Sequence, residues 1–518
     1  MKPSHRPVRR RLFLTLGGAA LVAGAGYGGN FLWVYQDHRR SNVGDLDFAN
    51  PLRIPELLHP EPVGGRRTYR LDLAPGSTEL LPGKKTATWG ANGTYLAPTL
   101  RARRGDLMAM DVRNGLPEAT TLHWHGMHLP ASMDGGPHQM IPAGGTWRPE
   151  WTVHQPASTL WYHPHPHGST GSHVYRGVAG MMILDDDASD RAGLPSTYGV
   201  DDIPVVIQDK NFHDDGSLDF TETHLQSTIA GVDNIGVLGD TILVNGTYNP
   251  HFAVTTGRVR FRLLNGSNAR VYRIGFPDDR SFHLVAVDNG LLKRPQAMTR
   301  LRLGPGERAE IVVAFKPGEK AVLRSFPPEL DFGFPTDRFM GSDDTFDLLE
   351  LRAAPTLAGS PELPTRVDGA PEPIAVPDGA KVRKFDFVGF QINGKTMDMS
   401  RVDEVVPAGA TEIWEIDRGD TWIHAFHLHG ATFNVIDVNG HEPPAYVQGP
   451  KDTVYLPEFG KIRLAVRFDT LTDPKKPYMY HCHVLFHEDQ GMMGQFTVVE
   501  PGTENSAPRT VPVDHANH

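Results

Sequence analysis

The sequence predicts an all-β protein of three consecutive β-sandwich domains, and three observations carry that reading. From Pro51 onward, short β-branched and aromatic runs alternate with clusters of Gly, Pro, Asn and Asp, and no stretch sustains a 3.6-residue apolar period. Gly and Pro number 54 and 43, which is high for a helical protein and normal for one made of strands and tight turns. One arrangement, a strand, a Gly-containing hairpin, a second strand and then pocket-lining residues, recurs at Leu100 to His128, at Val259 to Gly290 and at Thr411 to Gly440. A repeat of about 150 residues implies three copies of one fold.

Composition narrows the function classes. With 518 residues, 39% of them hydrophobic and 22% charged, the chain can bury several cores and is not a disordered polymer. The net charge of -10 argues against nucleic acid as a partner, because phosphate recognition needs a basic face. A single cysteine, Cys482, rules out an intrachain disulfide, so the cellular address must come from the N-terminus.

Residues 1–40 read as an export signal or an anchor. Lys2, Arg6, Arg9, Arg10 and Arg11 precede an uncharged apolar run from Leu12 to about Val34, and Arg10-Arg11-Leu12-Phe13-Leu14 resembles the twin-arginine export pattern. Ala23-Gly24-Ala25 offers a cleavage site, while the length of the apolar run also suits an uncleaved anchor. Either way the export machinery is expected as a partner, and the body is expected in the periplasm, outside the cell or anchored to a membrane on its outer face. The three domains are expected at 41–190, 199–355 and 366–500, joined by linkers at Asp185 to Tyr198 and Ala354 to Pro377. The polar tail, 501–518, lacks an apolar pattern and is expected to be disordered.

Four segments hold the chemistry: His123-Trp124-His125, His163-Pro164-His165, His424 with His427-Leu428-His429, and His481-Cys482-His483 followed by His487 and Met492. In a strand, residues two apart share a face, so each H-x-H pair aims two imidazoles at one place. Four such pairs exceed what one ordinary metal ion needs and imply a cluster. Cys482 lies between two of these histidines, so its sulfur leaves the strand on the opposite face and serves a second site. Two His, one thiolate and a weak Met form the ligand set of a blue-copper electron-transfer centre, with His424, His487 and Met492 the available partners. The first and third copies of the repeat carry the histidines, whereas the second has Tyr272-Arg273-Ile274 at the matching place.

On these four segments, in order and spacing, the chain resembles the multicopper oxidases of the three-domain laccase type, from about Pro51 to Glu500. The resemblance implies cupredoxin-like Greek-key sandwiches, a monomer, and four copper ions. It implies that His424, Cys482, His487 and axial Met492 bind a type 1 copper, and that His123 and His427 bind a type 2 copper. A type 3 pair falls to His125, His163, His165, His429, His481 and His483. It further implies oxidation of a small donor one electron at a time, with dioxygen reduced to water. Asp134 and Glu488 match family positions that supply protons to that reduction, with Cys482 as the electron conduit. The remaining histidines, such as His128, His138, His154, His167 and His173, are read as supporting or surface groups.

Within the family the segments around His424 and Cys482 look nearest to bacterial copper-efflux oxidases and bilirubin oxidases. Asp420 matches an acidic residue of the cuprous-ion site in the former, yet Trp422 stands where a methionine would be. Between Leu301 and Asp420 the methionines are Met340, Met397 and Met399, without a Met-rich run. Trp422 instead resembles the aromatic at the substrate edge of bilirubin oxidases, so phenols and aromatic amines are the expected donors. Oxidation of Cu(I) or Fe(II) in metal tolerance is the alternative, and a copper-free scaffold of the same fold, as in some cell-division proteins, the remote one.

Overall fold

The computed structural model describes Tyr35 and residues 39–221, 236–330, 332–334, 336–456 and 460–513. The leader therefore lies outside the described residues, Tyr35 apart. The body is all-β and forms three two-sheet sandwiches, each with its own apolar core. The first pairs a six-stranded sheet built on Arg66–Leu81 with a five-stranded sheet holding His123–His125 and Ser158–His163. The second packs a six-stranded sheet that holds Pro250–Thr256 and Phe346–Ala358 against an eight-stranded one that holds Asp202–Phe212 and Arg258–Asn265. The third packs two five-stranded sheets, one of them holding Ala425–Leu428 and Asp473–Cys482.

Alternation of side chains explains the outer sheets. In Arg66–Leu81 the buried residues are Tyr69, Leu71, Leu73, Thr78 and Leu80, while Arg70 and Asp72 between the first three face water. The same period runs through Val382–Val388, where Arg383, Phe385 and Phe387 are buried. The strands that carry histidines break this rule. Ser158–His163 is buried at every position, and so are the last six residues of Asp473–Cys482. One face of each meets its own core and the other meets a neighbouring domain, as in sheets covered on both sides. Register then sets the ligands: His123 pairs opposite His163 in the first domain, and His427 opposite His481 in the third.

Buried polar contacts lock the domains together. Between the first two, Arg262 forks onto Asp202 at 2.6 Å and donates to Thr159 Oγ1 at 2.8 Å, while the Thr159 hydroxyl donates to Glu310 at 2.6 Å. Between the first and third, the Tyr478 hydroxyl donates to the Leu129 carbonyl at 2.7 Å, and His128 lies 3.2 Å from Asp469. Asp489 accepts the backbone N–H groups of Thr170 and Gly171 at 2.7 and 2.9 Å, which ties the start of helix Thr170–Arg176 to the third domain.

Two expectations change. Residues 41–52, assigned by the sequence to the first domain, run along the second: Asn50–Pro51 pairs with Pro250 and His251, and Asn42 bonds Asp347 in both directions. The tail is not disordered over 501–513. Val511 is 5% exposed, packs with Val402, Val405 and Val499, and donates its N–H to the Ser400 carbonyl at 2.8 Å. Its single buried apolar residue set no period that sequence reading could detect. Deleting residues 501–518 is expected to cost about 1.5–3 kcal/mol, the worth of one buried valine with its uncovered neighbours, read as a lower Tm; an unchanged Tm would mean the tail is not docked.

Candidate metal centre

The histidines of the first and third domains meet face to face at the junction. His125 stacks on His427 with ring centroids 3.6 Å apart, and His123 on His429 at 3.9 Å. All eight of the H-x-H imidazoles are at most 1% exposed. Their ligand atoms fall into three groups, each with its atoms within 4.8 Å of one another: His123, His427 and His429; His125, His163 and His483; His165, His429 and His481.

Hydrogen bonds decide which nitrogens face inward. A carbonyl only accepts, so the Nδ1 atoms that touch carbonyls must carry the proton: His123 to Asp134 O at 2.8 Å, His163 to Pro164 O at 2.8 Å, His427 to Asp452 O at 2.9 Å and His481 to Cys482 O at 3.1 Å. Their Nε2 atoms are left as bare lone pairs. Those of His123 and His427 are buried without a hydrogen-bond partner, and His483 has none for either nitrogen. The Nε2 of His481 lies 3.1 Å from that of His429 and 3.2 Å from that of His165. His125 is turned over, with Nε2 at Asp452 and Thr453 (3.1 and 2.9 Å) and Nδ1 facing His163 at 3.4 Å. Burial holds these rings well below the usual histidine range, His163 down to about 3, so they stay neutral and available as donors. Convergent buried lone pairs without protons repel one another, and a cation relieves that. The residues present fit a metal cluster.

Behind the strand lies the second site. Cys482 Sγ is 3.4 Å from His424 Nδ1 and 3.5 Å from His487 Nδ1, and the two nitrogens are 3.2 Å apart. The centre of such a triangle is about 2 Å from each corner, the length of a metal–ligand bond. Asp420 holds His424 through Nε2 at 3.1 Å, which leaves Nδ1 for the centre. Met492 is fully buried; its N–H donates to His487 O at 2.9 Å and its carbonyl accepts from Cys482 N at 3.1 Å, so it is fastened to both ligands. Without a metal, burial pushes the Cys482 thiol up to about 12.

Sequence profiles described as Multicopper oxidase match residues 73–189, 206–321 and 370–502, one in each sandwich. This chain belongs to the multicopper oxidase family. It is 34% identical over 464 residues to the multicopper oxidase mco of Staphylococcus aureus, covering 89% of this chain and 95% of that one. It is also 33% identical over 495 residues to the cell division protein FtsP of Salmonella typhimurium, covering 94% and 98%. Among solved structures, a laccase-like multicopper oxidase from Ochrobactrum sp., described with activity towards lignin model compounds and lignosulfonate, superposes with a TM-score of 0.77 at 36% identity, covering 87% of this chain and 100% of that one. The cupredoxin-like architecture expected from the sequence is that of these multicopper oxidases.

Both acids expected to serve the cluster lie against it. Asp134 Oδ2 is 2.7 Å from His429 Nδ1, while its carbonyl holds His123. Glu488, in helix Leu485–Asp489, places one oxygen 3.2 Å from His165 Nδ1 and the other 3.3 Å from His481 Nδ1. Burial pushes Asp134 up to about 6 and Glu488 well above the usual carboxyl range, the charge of Asp489 adding to the latter. Trp422 is half-buried over the edge of the cysteine site, with its ring centroid 5.7 Å from that of His487. Phe390 lies 5.5 Å from His487 and 5.1 Å from Trp422, and Phe486 lies 5.5 Å from Phe390.

Sequence reading missed Phe390, Phe486, Asp452 and Thr453. Phe486 sits beside His487 and could have been noticed there; Asp452 and Thr453 follow Gly449-Pro450-Lys451, a turn with no ligand spacing. Of the histidines read as supporting groups, His128 and His138 bridge to the third domain through Thr432 and Gln495 at 3.0 and 2.6 Å. His173 is buried between Thr120 and Glu118.

Proposed function

We propose that this chain is a copper-dependent oxidase that takes single electrons from small aromatic donors, phenols or aromatic amines, and delivers them to dioxygen. Cys482, His424, His487 and Met492 would hold the type 1 copper, and His123 and His427 the type 2. The triads His125, His163, His483 and His165, His429, His481 would hold the type 3 pair. When bound, these four ions supply one-electron chemistry, four donor oxidations for each dioxygen reduced to two waters. Cys482 is covalently continuous with His481 and His483, so the donor side and the dioxygen side are joined by one stretch of backbone.

The observation that carries the donor class is the aromatic rim of Trp422, Phe390 and Phe486 around His487. Flat organic rings stack on such a rim, and an indole gives the largest face. The alternative, oxidation of Cu(I) or Fe(II), rests on Asp420. Its carboxylate is already engaged, one oxygen with Trp422 N and His424 Nε2 at 3.0 and 3.1 Å and the other with Gly389 N at 2.5 Å, which favours orienting His424 over binding a substrate ion. A copper-free scaffold, suggested by the likeness to the cell division protein, would have no use for ten buried histidines and a cysteine in these positions. The twin-arginine-type leader supports work outside the cytoplasm.

Asp134 and Glu488 lie beside the cluster with carboxyls that burial makes readier to take up and pass on a proton, and dioxygen reduction consumes four. Asp134→Asn and Glu488→Gln are each expected to slow reoxidation by dioxygen about 10²–10⁴-fold, the usual worth of a general acid, without changing the rate at which donor reduces the type 1 copper. Stopped-flow measurement of the two half-reactions separates these, and unchanged reoxidation would remove the acid role. The donor class is tested by oxygen uptake of the copper-loaded protein offered a phenol and Cu(I) side by side, with Cys482→Ser as the inactive control. Uptake driven by the phenol is the expected result; uptake driven by Cu(I) alone would move the assignment to a metal oxidase.

A further inference from the structure

Among the described residues the second domain supplies no histidine to the cluster, yet one of its side chains reaches the edge of it. Arg308, on strand Arg308–Ala314, has a side chain 0% exposed and forks onto Asp452 of the third domain, Nη1 to Oδ1 and Nη2 to Oδ2 at 2.6 Å each. Arg308 Nε also donates to the carbonyl of Thr159, in the first domain, at 3.0 Å. All three domains thus meet on one guanidinium.

Asp452 in turn holds two cluster imidazoles from different domains. Its Oδ1 accepts from His125 Nε2 at 3.1 Å and its carbonyl from His427 Nδ1 at 2.9 Å. The Thr453 hydroxyl donates to the same Oδ1 at 2.7 Å and lies 2.9 and 3.0 Å from those two ring nitrogens. These bonds keep His125 inverted, with Nδ1 inward, and keep His427 Nε2 bare. They also set the 3.6 Å stack between the two rings.

Arg308 belongs to a wider network of buried charged groups. Lys451 Nζ is 2.9 Å from Asp288 and 3.1 Å from Glu307, and Arg308 N–H donates to Asp288. Two buried cations therefore face three buried carboxylates, and the carboxylate nearest the histidines is Asp452.

We propose that Arg308 is a positioning residue for the trinuclear site: through Asp452 the second domain fixes which nitrogens of His125 and His427 face the metal. This rests on the copper assignment given above. Its fork fixes the plane of the carboxylate, which a single ammonium cannot do. A purely structural brace between domains would change Tm and leave the copper alone, so copper affinity and the electron paramagnetic resonance of the type 2 ion are the discriminating readouts.

The test uses the full chain loaded with copper, comparing wild type, Arg308→Lys and the charge-neutral pair Arg308→Met/Asp452→Asn. The pair avoids stranding one buried charge, the main reason a single removal would unfold the protein. Cluster copper in the pair is expected to bind roughly 10–100-fold more weakly, with an altered type 2 resonance and the visible absorption of the cysteine site intact. Arg308→Lys is expected to show an altered type 2 resonance with a smaller loss of affinity. Wild-type affinity and resonance in the folded pair, with only Tm lowered, would overturn the proposal; so would a wild-type resonance in Arg308→Lys should the pair not fold. A wild-type protein that takes no copper at its histidines would instead overturn the copper assignment, and this proposal with it.

Discussion

A cage of buried, unprotonated imidazole lone pairs at the junction of the first and third domains is the constraint on which the rest of the structure depends. Carbonyls and carboxylates behind the rings claim the outward N–H groups, so the inward nitrogens have nothing to bond except a cation. Neither domain makes the cage alone, because the stacked pairs His125 with His427 and His123 with His429 each span the junction. Fixing the two domains to within a fraction of an ångström is therefore a condition of metal binding, and it accounts for the density of buried polar contacts between them. The middle domain shares in this, through Arg262 and Glu310 toward the first domain and Arg308 toward the third.

Strand geometry explains why two metal centres of different character can sit so close. The pleat sends His481 and His483 to one side and Cys482 to the other, so a single strand end is wall to both. On the cysteine side, the neighbours are aromatic and half-exposed, as an entry point for electrons from outside should be. On the histidine side, the neighbours are acids whose hold on a proton is strengthened by burial, as a place that consumes protons should have.

Much of this was legible in the sequence for a simple physical reason. Alternation along a strand turns H-x-H and H-C-H into statements about faces, and the outcome for His481, Cys482 and His483 follows from it directly. What could not be read is whatever depends on contacts between distant segments. Asp452 stands 144 residues from Arg308 and 327 from His125, and no spacing rule joins them. The strap formed by residues 41–52 and the docking of Val511 escaped for the same reason, since each rests on one or two buried side chains and backbone bonds to a remote strand. The orientation of His125 was equally hidden, because it is set by a neighbour in another domain.

Anomalous diffraction at the copper edge from crystals of the copper-loaded protein tests the central claim most directly. The account predicts one peak within the triangle of Cys482, His424 and His487, one within each of the triads His125, His163, His483 and His165, His429, His481, and one between His123 and His427. A single peak at the cysteine site, with none among the eight junction histidines, would contradict it.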